Sequence, residues 1–146
     1  MGIRRVLVPV AIAGLLVGCS TASNSEASGN SVAAAMKEWE ITLDPTSEAA
    51  GAVTFNIANN GSFTHEFIVV KTDLADGALP TKADGSVDVT DSQLTAVDEL
   101  EDIAASSTAN TLAVTLTPGH YVVFCNLLVG TTSHYAQGLH ASFTVN

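Results

Sequence analysis

Apolar and polar residues alternate in several short segments of the chain, a pattern typical of β-strands that bury one face. The alternating segments are 39–43, 53–58, 112–116 and 141–145. Turn-forming residues lie between them, namely Asp44-Pro45, Asn59-Asn60-Gly61 and Pro118-Gly119. Two further segments, Phe67–Val70 and Tyr121–Phe124, are apolar throughout, and Phe67–Val70 predicts a central strand that is covered on both faces. Many short strands separated by turns indicate an all-β domain, an antiparallel sandwich or barrel.

The stretch between residues 73 and 110 fits this pattern least well. Its apolar residues recur at every third position: Leu94, Val97, Leu100 and Ile103. This spacing predicts a short helix or an irregular loop that covers the sheet. Acidic residues crowd the same stretch: Asp88, Asp91, Asp98, Glu99, Glu101 and Asp102. The Asp84-Gly85 pair lacks the alternating oxygen ligands of an EF-hand, so we interpret the acidic residues as a solvated face.

The first residues have the features of an export signal. Arg4 and Arg5 precede an apolar run, Val6–Val17, that is too short to span ~30 Å of hydrocarbon. The run ends in Leu16-Val17-Gly18-Cys19, which resembles the lipobox of bacterial lipoproteins. The resemblance implies a signal peptide over residues 1–18 and a diacylglyceryl group on the Cys19 thiol. An ordinary signal peptide with an incidental cysteine is the alternative.

The residues that follow Cys19 predict a tether. Residues 20–36 are rich in Ser, Ala, Asn and Gly and show no apolar periodicity, so they cannot offset the entropy lost on ordering. We expect a flexible, lipidated tether over residues 19–36 and a folded domain over residues 37–146. The domain would then lie outside the cytoplasm, anchored to the bacterial cell membrane by the lipid.

The charge of the chain restricts its partners. Its 146 residues include 15 acidic and five basic side chains, a formal charge of −10. Loss of the signal leaves three lysines against the 15 acidic residues, a charge of −12. Nucleic-acid binding is excluded, because phosphate contacts need clustered Lys and Arg. We expect a monomer whose charge attracts basic protein partners.

Three residues form a candidate metal site. Cys125 follows an apolar strand and, once Cys19 is lipidated, it has no disulfide partner. His134 comes after eight intervening residues, and His65 lies on a second strand. A single thiol in such a position is usually a small buried hydrophobe. Two imidazoles and one thiolate together form a trigonal soft site that suits blue copper, whereas zinc would need a fourth strong ligand or water.

The chain from Trp39 to Val145 resembles the cupredoxins, the superfamily of plastocyanin and azurin. The matching stretches are 51–61 with Thr64-His65-Glu66-Phe67, 116–126, and 133–139, in the order in which the family has them. The resemblance implies an antiparallel Greek-key β-sandwich or barrel with an irregular or short-helical insertion. It also implies that His65, Cys125 and His134 bind one copper ion that cycles between Cu(I) and Cu(II).

Two features depart from the family pattern. The loop between Cys125 and His134 is four residues longer than in many cupredoxins, although the blue-copper domain of copper nitrite reductases has a similar spacing. Leu139 occupies the axial position, where family members usually carry Met. Because leucine cannot coordinate, we predict a nearly three-coordinate site with a raised reduction potential. A core leucine in a domain that no longer binds copper is the alternative.

Other polar residues near these motifs are weaker candidates. Asn126 and Ser133 flank the ligands and could hydrogen-bond the loop and the sulfur, or simply form turns. His140 could be an alternative or fourth ligand, or a surface residue. His120 is expected in a solvated turn. Glu66 is expected to point away from the metal face, either as a surface residue or as one that supports a ligand without binding the metal.

We therefore expect a membrane-tethered one-electron carrier rather than an enzyme. The resemblance implies that its redox partner docks at an apolar patch, for which Leu127, Leu128 and Val129 are candidates, although they could equally be core residues. A copper protein for delivery, sequestration or sensing would have the same ligands. A metal-free β-sandwich interaction module is the second alternative. A dinuclear centre is disfavoured, because it would need a second cysteine near Cys125.

Overall fold

A computed structural model describes residues 29–146, which form two β-sheets with the main core between them. The strands are β1 (Asn30–Lys37), β2 (Glu40–Asp44), β3 (Ser47–Glu48), β4 (Gly51–Asn59), β5 (His65–Lys71), β6 (Thr95–Ile103), β7 (Asn110–Leu116), β8 (Gly119–Phe124), β9 (Leu128–Val129), β10 (Thr132–Ser133) and β11 (His140–Val145). A 3₁₀ turn (Asp76–Ala78) and one short helix, α1 (His134–Gln137), complete the elements of this part of the chain.

The strand order shows how the sheets are built. One sheet has the order β2-β1-β4-β7, the other has the order β3-β11-β8-β5-β6, and β9 pairs with β10 in a separate hairpin. The pairs β1–β4 and β3–β11 are parallel, and the remaining strand pairs are antiparallel. The predicted all-β fold is confirmed, with mixed sheets where fully antiparallel ones were expected.

Aromatic residues from both sheets meet at the centre of the main core. The Phe55 ring on β4 lies 5.3 Å from the ring of Phe67 on β5 and 5.4 Å from the ring of Phe143 on β11. All three side chains are fully buried. Alternation of buried and exposed residues along β4 and β7 places their apolar side chains in this layer, as the sequence pattern predicts.

A second apolar cluster lies on the outer face of the five-stranded sheet. Leu79, Val87 and Leu94, from the segment between β5 and β6, pack against residues of β5, β8 and α1. The residues that they cover are Ile68, Val70, Val122, Phe124 and Tyr135. This cover explains why β5 and β8 are apolar on both faces, and the prediction that β5 is a central strand is confirmed.

The predicted tether is wrong for residues 30–36, which form most of β1. Val32, Ala34 and Met36 are buried against the main core, and β1 is central in its sheet because it pairs with both β2 and β4. The small side chains of this strand give little hydrophobic contrast between its faces, so its alternation resembles low-complexity sequence. The signal, Cys19 and the tether up to residue 28 lie outside the described residues.

The predicted helix is wrong for residues 95–103, which form strand β6 with two bulges, whereas the expected irregular covering segment is present between β5 and β6 and includes Leu94. Phe67 pairs with Leu100 and His65 pairs with Ile103, so three steps along β6 face two along β5. A second irregularity lies at Val97. Each bulge adds one residue to a period of two, which produces the spacing of three from Val97 to Leu100 and from Leu100 to Ile103. The acidic residues of β6 are exposed, as predicted for a solvated face.

Within residues 29–146, no helix is both long and apolar enough to span a bilayer.

Candidate metal centre

The three predicted ligands lie at one end of the five-stranded sheet. His65 is the first residue of β5, and Cys125 directly follows the last residue of β8. These strands are antiparallel neighbours in which Ile68 pairs with Phe124, so the start of one lies beside the end of the other. His134, the first residue of α1, returns from the loop that follows Cys125. All three side chains are fully buried.

The structure brings one sulfur atom and two ring nitrogens together. The Sγ atom of Cys125 lies 3.3 Å from Nδ1 of His134 and 3.9 Å from Nδ1 of His65. The two Nδ1 atoms are 3.2 Å apart, and the three side chains offer ligand atoms that all lie within 4.8 Å of one another. One thiolate and two imidazoles in this arrangement form the trigonal donor set that copper prefers.

Burial sets the protonation of these groups. It raises the pKa of the Cys125 thiol to about 11, against the opposing effect of the Glu66 and Leu127 N–H groups. Burial also lowers the pKa of His65, as does the nearby His134, while Glu38 opposes this shift. Burial likewise lowers the pKa of His134. Both rings are therefore held neutral, which is the form in which imidazole binds a metal.

The long ligand loop folds as a hairpin. Strands β9 and β10 pair across Gly130, whose φ of +64° suits glycine, and the N–H of His134 donates to the carbonyl of Leu127 at 2.9 Å. Leu128 and Val129 are 42% and 49% exposed, whereas Leu127 is half-buried against the main core. The predicted apolar patch is thus divided between surface and core.

Asn126 and Ser133 attach the loop to the covering segment between β5 and β6. The Asn126 side chain accepts a hydrogen bond from the N–H of Val87 at 2.6 Å and donates one to its carbonyl at 3.1 Å. The Ser133 hydroxyl donates to the carbonyl of Gly85 at 2.8 Å and caps α1 by accepting from the N–H of Ala136 at 3.3 Å. Both residues position the loop.

Glu66 contacts the site more closely than its expected outward direction implies. Its backbone N–H donates to the sulfur of Cys125 at 3.4 Å, and its half-buried carboxylate accepts from the N–H of Asn126 at 2.8 Å. Both bonds join β5 to the first residues of the ligand loop. Glu66 therefore helps to fix the distance between His65 and Cys125.

Leu139 is fully buried beside two of the ligands. Its carbonyl accepts from the N–H of Cys125 at 3.0 Å, and its own N–H donates to the carbonyl of His134 at 3.2 Å. The residue before it, Gly138, ends α1 with a φ of +117°, and a Cβ there would come within 3.0 Å of the Trp39 carbonyl oxygen. The side chain of Leu139 offers no ligand atom, so an axial role without coordination stays a prediction.

The structure places the other two histidines outside the cluster. Nδ1 of His140 lies 2.9 Å from a carboxylate oxygen of Asp76, and its ring lies 5.1 Å from that of Tyr135. His120 is half-buried on β8, with Nδ1 2.8 Å from the carbonyl oxygen of Thr72, so its predicted place in a solvated turn is wrong.

Comparison with known proteins places the fold. No protein-family model and no curated protein sequence matches the chain. Reduced auracyanin from the photosynthetic bacterium Roseiflexus castenholzii is similar, with a TM-score of 0.53 and 15% identity over 81% of this chain and 98% of auracyanin. Auracyanin B is also similar, with a TM-score of 0.52 and 19% identity over 80% of this chain and 88% of auracyanin B. Rusticyanin from Thiobacillus ferrooxidans has a TM-score of 0.52 and 16% identity over 80% of this chain and 76% of rusticyanin. The chain has the cupredoxin fold.

Two residues that cover the candidate site were missed by sequence reasoning. Glu38 and Trp39 form the turn between β1 and β2. The Trp39 ring packs edge-on at 5.1 Å from the His134 ring and stacks on Phe63 at 5.9 Å, while Glu38 lies against His65. Trp39, the aromatic residue that begins the alternating segment 39–43, was the available signal, but no spacing rule connects this turn to Cys125.

Proposed function

We propose that this protein is a mononuclear blue-copper carrier that transfers single electrons. The observation that carries the proposal is the convergence of one thiol and two imidazole Nδ1 atoms, all buried, at one end of a cupredoxin fold. When bound, copper supplies a one-electron couple between Cu(I) and Cu(II). A carrier makes and breaks no substrate bonds, so the proposed role is transfer and not catalysis.

Each residue of the site has a defined part in this function. Cys125 supplies the thiolate, and the N–H of Glu66 stabilises its negative charge. His65 and His134 supply neutral nitrogens, and the burial of all three ligands keeps water away from the metal. Because His65 begins β5 and Cys125 directly follows the neighbouring strand β8, the sheet fixes their separation.

An apolar surface near His134 is the proposed docking face for a redox partner. Phe63 is 43% exposed, and its ring centroid lies 6.4 Å from that of His134. Leu128 and Val129 are exposed on the hairpin that leads into His134. The acidic charge of the chain favours a basic partner, which it attracts before the apolar contact forms.

The proposed location is outside the cytoplasm, with a lipid on Cys19 as the membrane anchor. This part of the proposal is supported by the sequence pattern of residues 1–19. Since β1 begins at Asn30, the proposed tether is limited to residues 19–29. Fractionation of cells would test the anchor: the wild type should be found with membranes, and Cys19→Ser should not. Equal membrane association of both proteins, with the signal removed from each, would exclude a lipid on Cys19 as the anchor.

The copper proposal is tested by titrating the metal-free chain with Cu(II). Cys19→Ser is used as the starting protein, because it leaves Cys125 as the single thiol. We expect the intense thiolate-to-copper absorption band, which Cys125→Ser should abolish. His134→Ala should remove or shift the band, whereas His140→Ala, outside the cluster, should preserve it.

Three outcomes of this titration would change the proposal. Absence of the band in the starting protein would refute a blue-copper site. Persistence of the band in Cys125→Ser would refute the ligand assignment. Copper that binds with the band, but that cannot be reduced and reoxidised reversibly, would favour copper delivery over electron transfer.

A further inference from the structure

We propose that Glu38 is a positioning residue for His65: its carboxylate accepts the hydrogen of Nε2 and leaves Nδ1 free to bind copper. The inference deepens the proposed copper function and rests on it. It assigns a role to the turn between β1 and β2, which precedes the three ligands in the chain and shares no motif with them.

The two edges of the His65 ring face different groups. Nδ1 faces the cluster, 3.2 Å from Nδ1 of His134 and 3.9 Å from the sulfur of Cys125. On the opposite edge, Nε2 lies 3.5 Å from Oε1 of Glu38, which is longer than the ~2.7–3.2 Å of an ordinary N–H···O hydrogen bond. Nε2 is buried and forms no hydrogen bond in the structure, and the Glu38 carboxylate is the charged acceptor that lies against it, so a small approach of the two groups would complete the bond.

The Glu38 carboxylate is itself held in place. Its Oε1 accepts hydrogen bonds from the N–H groups of Ser62 and Phe63, both at 2.8 Å, and its side chain is only 19% exposed. A Cβ at Gly61 would overlap the carboxylate, so the absence of a side chain at Gly61 makes room for it. These contacts form a fixed cradle, unlike the mobile surroundings of an exposed glutamate.

The pKa of Glu38 is consistent with a charged carboxylate at this position. Partial burial acts to raise it, but the N–H groups of Phe63 and Ser62 and the nearby His65 ring outweigh that effect, and the pKa is lowered. A negatively charged acceptor beside a buried imidazole N–H gives a stronger hydrogen bond than a neutral one.

Two consequences follow from the chemistry of imidazole. A neutral ring carries one hydrogen, so an acceptor at Nε2 selects the tautomer whose lone pair lies on Nδ1. A carboxylate on the outer nitrogen also raises the basicity of the ligand. Its negative charge stabilises Cu(II) relative to Cu(I), so Glu38 should lower the reduction potential.

Glu40 provides a matched control for the charge. It lies two residues further along the chain, as the first residue of β2, is exposed, and pairs with Lys37 at 3.0 Å. Glu38→Gln and Glu40→Gln each remove one negative charge. Only the first of these charges lies against a ligand.

The experiment has one arm without metal and one with copper, both on the Cys19→Ser chain. Long-range ¹⁵N–¹H NMR of the metal-free protein should show the hydrogen of His65 on Nε2, and Glu38→Ala should lose this preference. With copper, Glu38→Gln should retain the acceptor but shift the Cu(I):Cu(II) ratio about tenfold towards Cu(I), a rise of ~59 mV in potential. Glu40→Gln should change the ratio by about twofold or less.

The outcomes separate this inference from the copper proposal. An unchanged His65 tautomer in Glu38→Ala, or a shift in Glu38→Gln no larger than that in Glu40→Gln, refutes the role of Glu38 even if copper binds. Failure of the starting protein to bind copper refutes the proposed function, while the metal-free NMR arm still tests the contact. If Glu38→Ala does not fold, the potential of Glu38→Gln decides.

Discussion

The Cys125 thiol makes proton release a part of copper binding. Burial raises its pKa to about 11, so in the metal-free protein it keeps its proton at neutral pH. The metal needs the thiolate. The His65 and His134 rings have lowered pKa values and are already neutral there, so they release no proton. Each copper ion therefore displaces about one proton, from the sulfur.

This proton release predicts that copper affinity rises with pH. Between pH 7 and pH 8.5, where the thiol remains below its pKa of about 11, the apparent affinity should increase about tenfold per pH unit, because fewer protons compete for the sulfur. Competition against a chelator of known pH dependence measures the affinity. Calorimetry in two buffers of different ionisation enthalpy counts the proton. An affinity that does not change with pH would show that the thiol is already ionised or is not a ligand.

Leu139 allows a direct test of the axial position. Leu139→Met should place a thioether beside Cys125 and His134, whose backbones are bonded to that of residue 139. A thioether donor stabilises Cu(II), so the potential should fall, by about 59 mV if Cu(II) gains tenfold in relative affinity. Voltammetry of the two proteins measures the change, and Leu139→Ile is the control without a donor. A potential in Leu139→Met that is unchanged or higher contradicts the axial assignment.

The ligand cluster could be found from the sequence because local features position each ligand. Cys125 directly follows an apolar strand, His65 begins one, and His134 follows a loop of countable length. Glu38 and Trp39 could not be found in this way. Their contacts depend on the parallel pairing of β1 with β4, which brings two distant parts of the chain together without any local signal.

At the level of elements, β1 and β6 show where hydrophobic periodicity fails. In β1 the buried residues include Ala34, and the exposed Ala33 and half-buried Ala35 flank it, so the two faces differ little in hydrophobicity. In β6 two bulges change the spacing of the apolar residues from two to three, which resembles a helix. Both errors have physical causes: low contrast between faces, and an irregular backbone that follows from pairing with β5.

Strand β1 should be essential for stability although its composition resembles a linker. Met36 is fully buried in the main core, and Met36→Ala should lower the free energy of unfolding by about 2–5 kcal/mol. Ala33→Ser changes an exposed residue of the same strand and should alter stability by less than about 0.5 kcal/mol. Urea unfolding followed by Trp39 fluorescence measures both. Equal stability of the two variants would show that β1 does not pack as described.

At the scale of the whole molecule, the excess of acidic over basic residues produces an electrostatic potential that extends into the solvent. Residues 29–146 contain only three lysines and no arginine. The exposed acidic residues Asp98, Glu99, Glu101 and Asp102 lie on β6, the strand at one edge of the five-stranded sheet. Such residues protect an edge strand against pairing with other chains and also create a negative potential along it.

This potential predicts opposite salt effects for reactants of opposite charge. Electron exchange with the cation hexaammineruthenium should slow severalfold as ionic strength rises from about 10 mM to 200 mM, because screening weakens the attraction. Exchange with the anion ferricyanide should accelerate over the same range. Stopped-flow mixing measures both rates. In a variant in which Asp98, Glu99 and Glu101 become amides, the rates with both reactants should depend less on ionic strength. The absorption spectrum of this variant should stay that of the wild type. If ionic strength changed the two rates in the same direction and by the same factor, short-range contacts at the docking face, and not the electrostatic field of the molecule, would control the encounter.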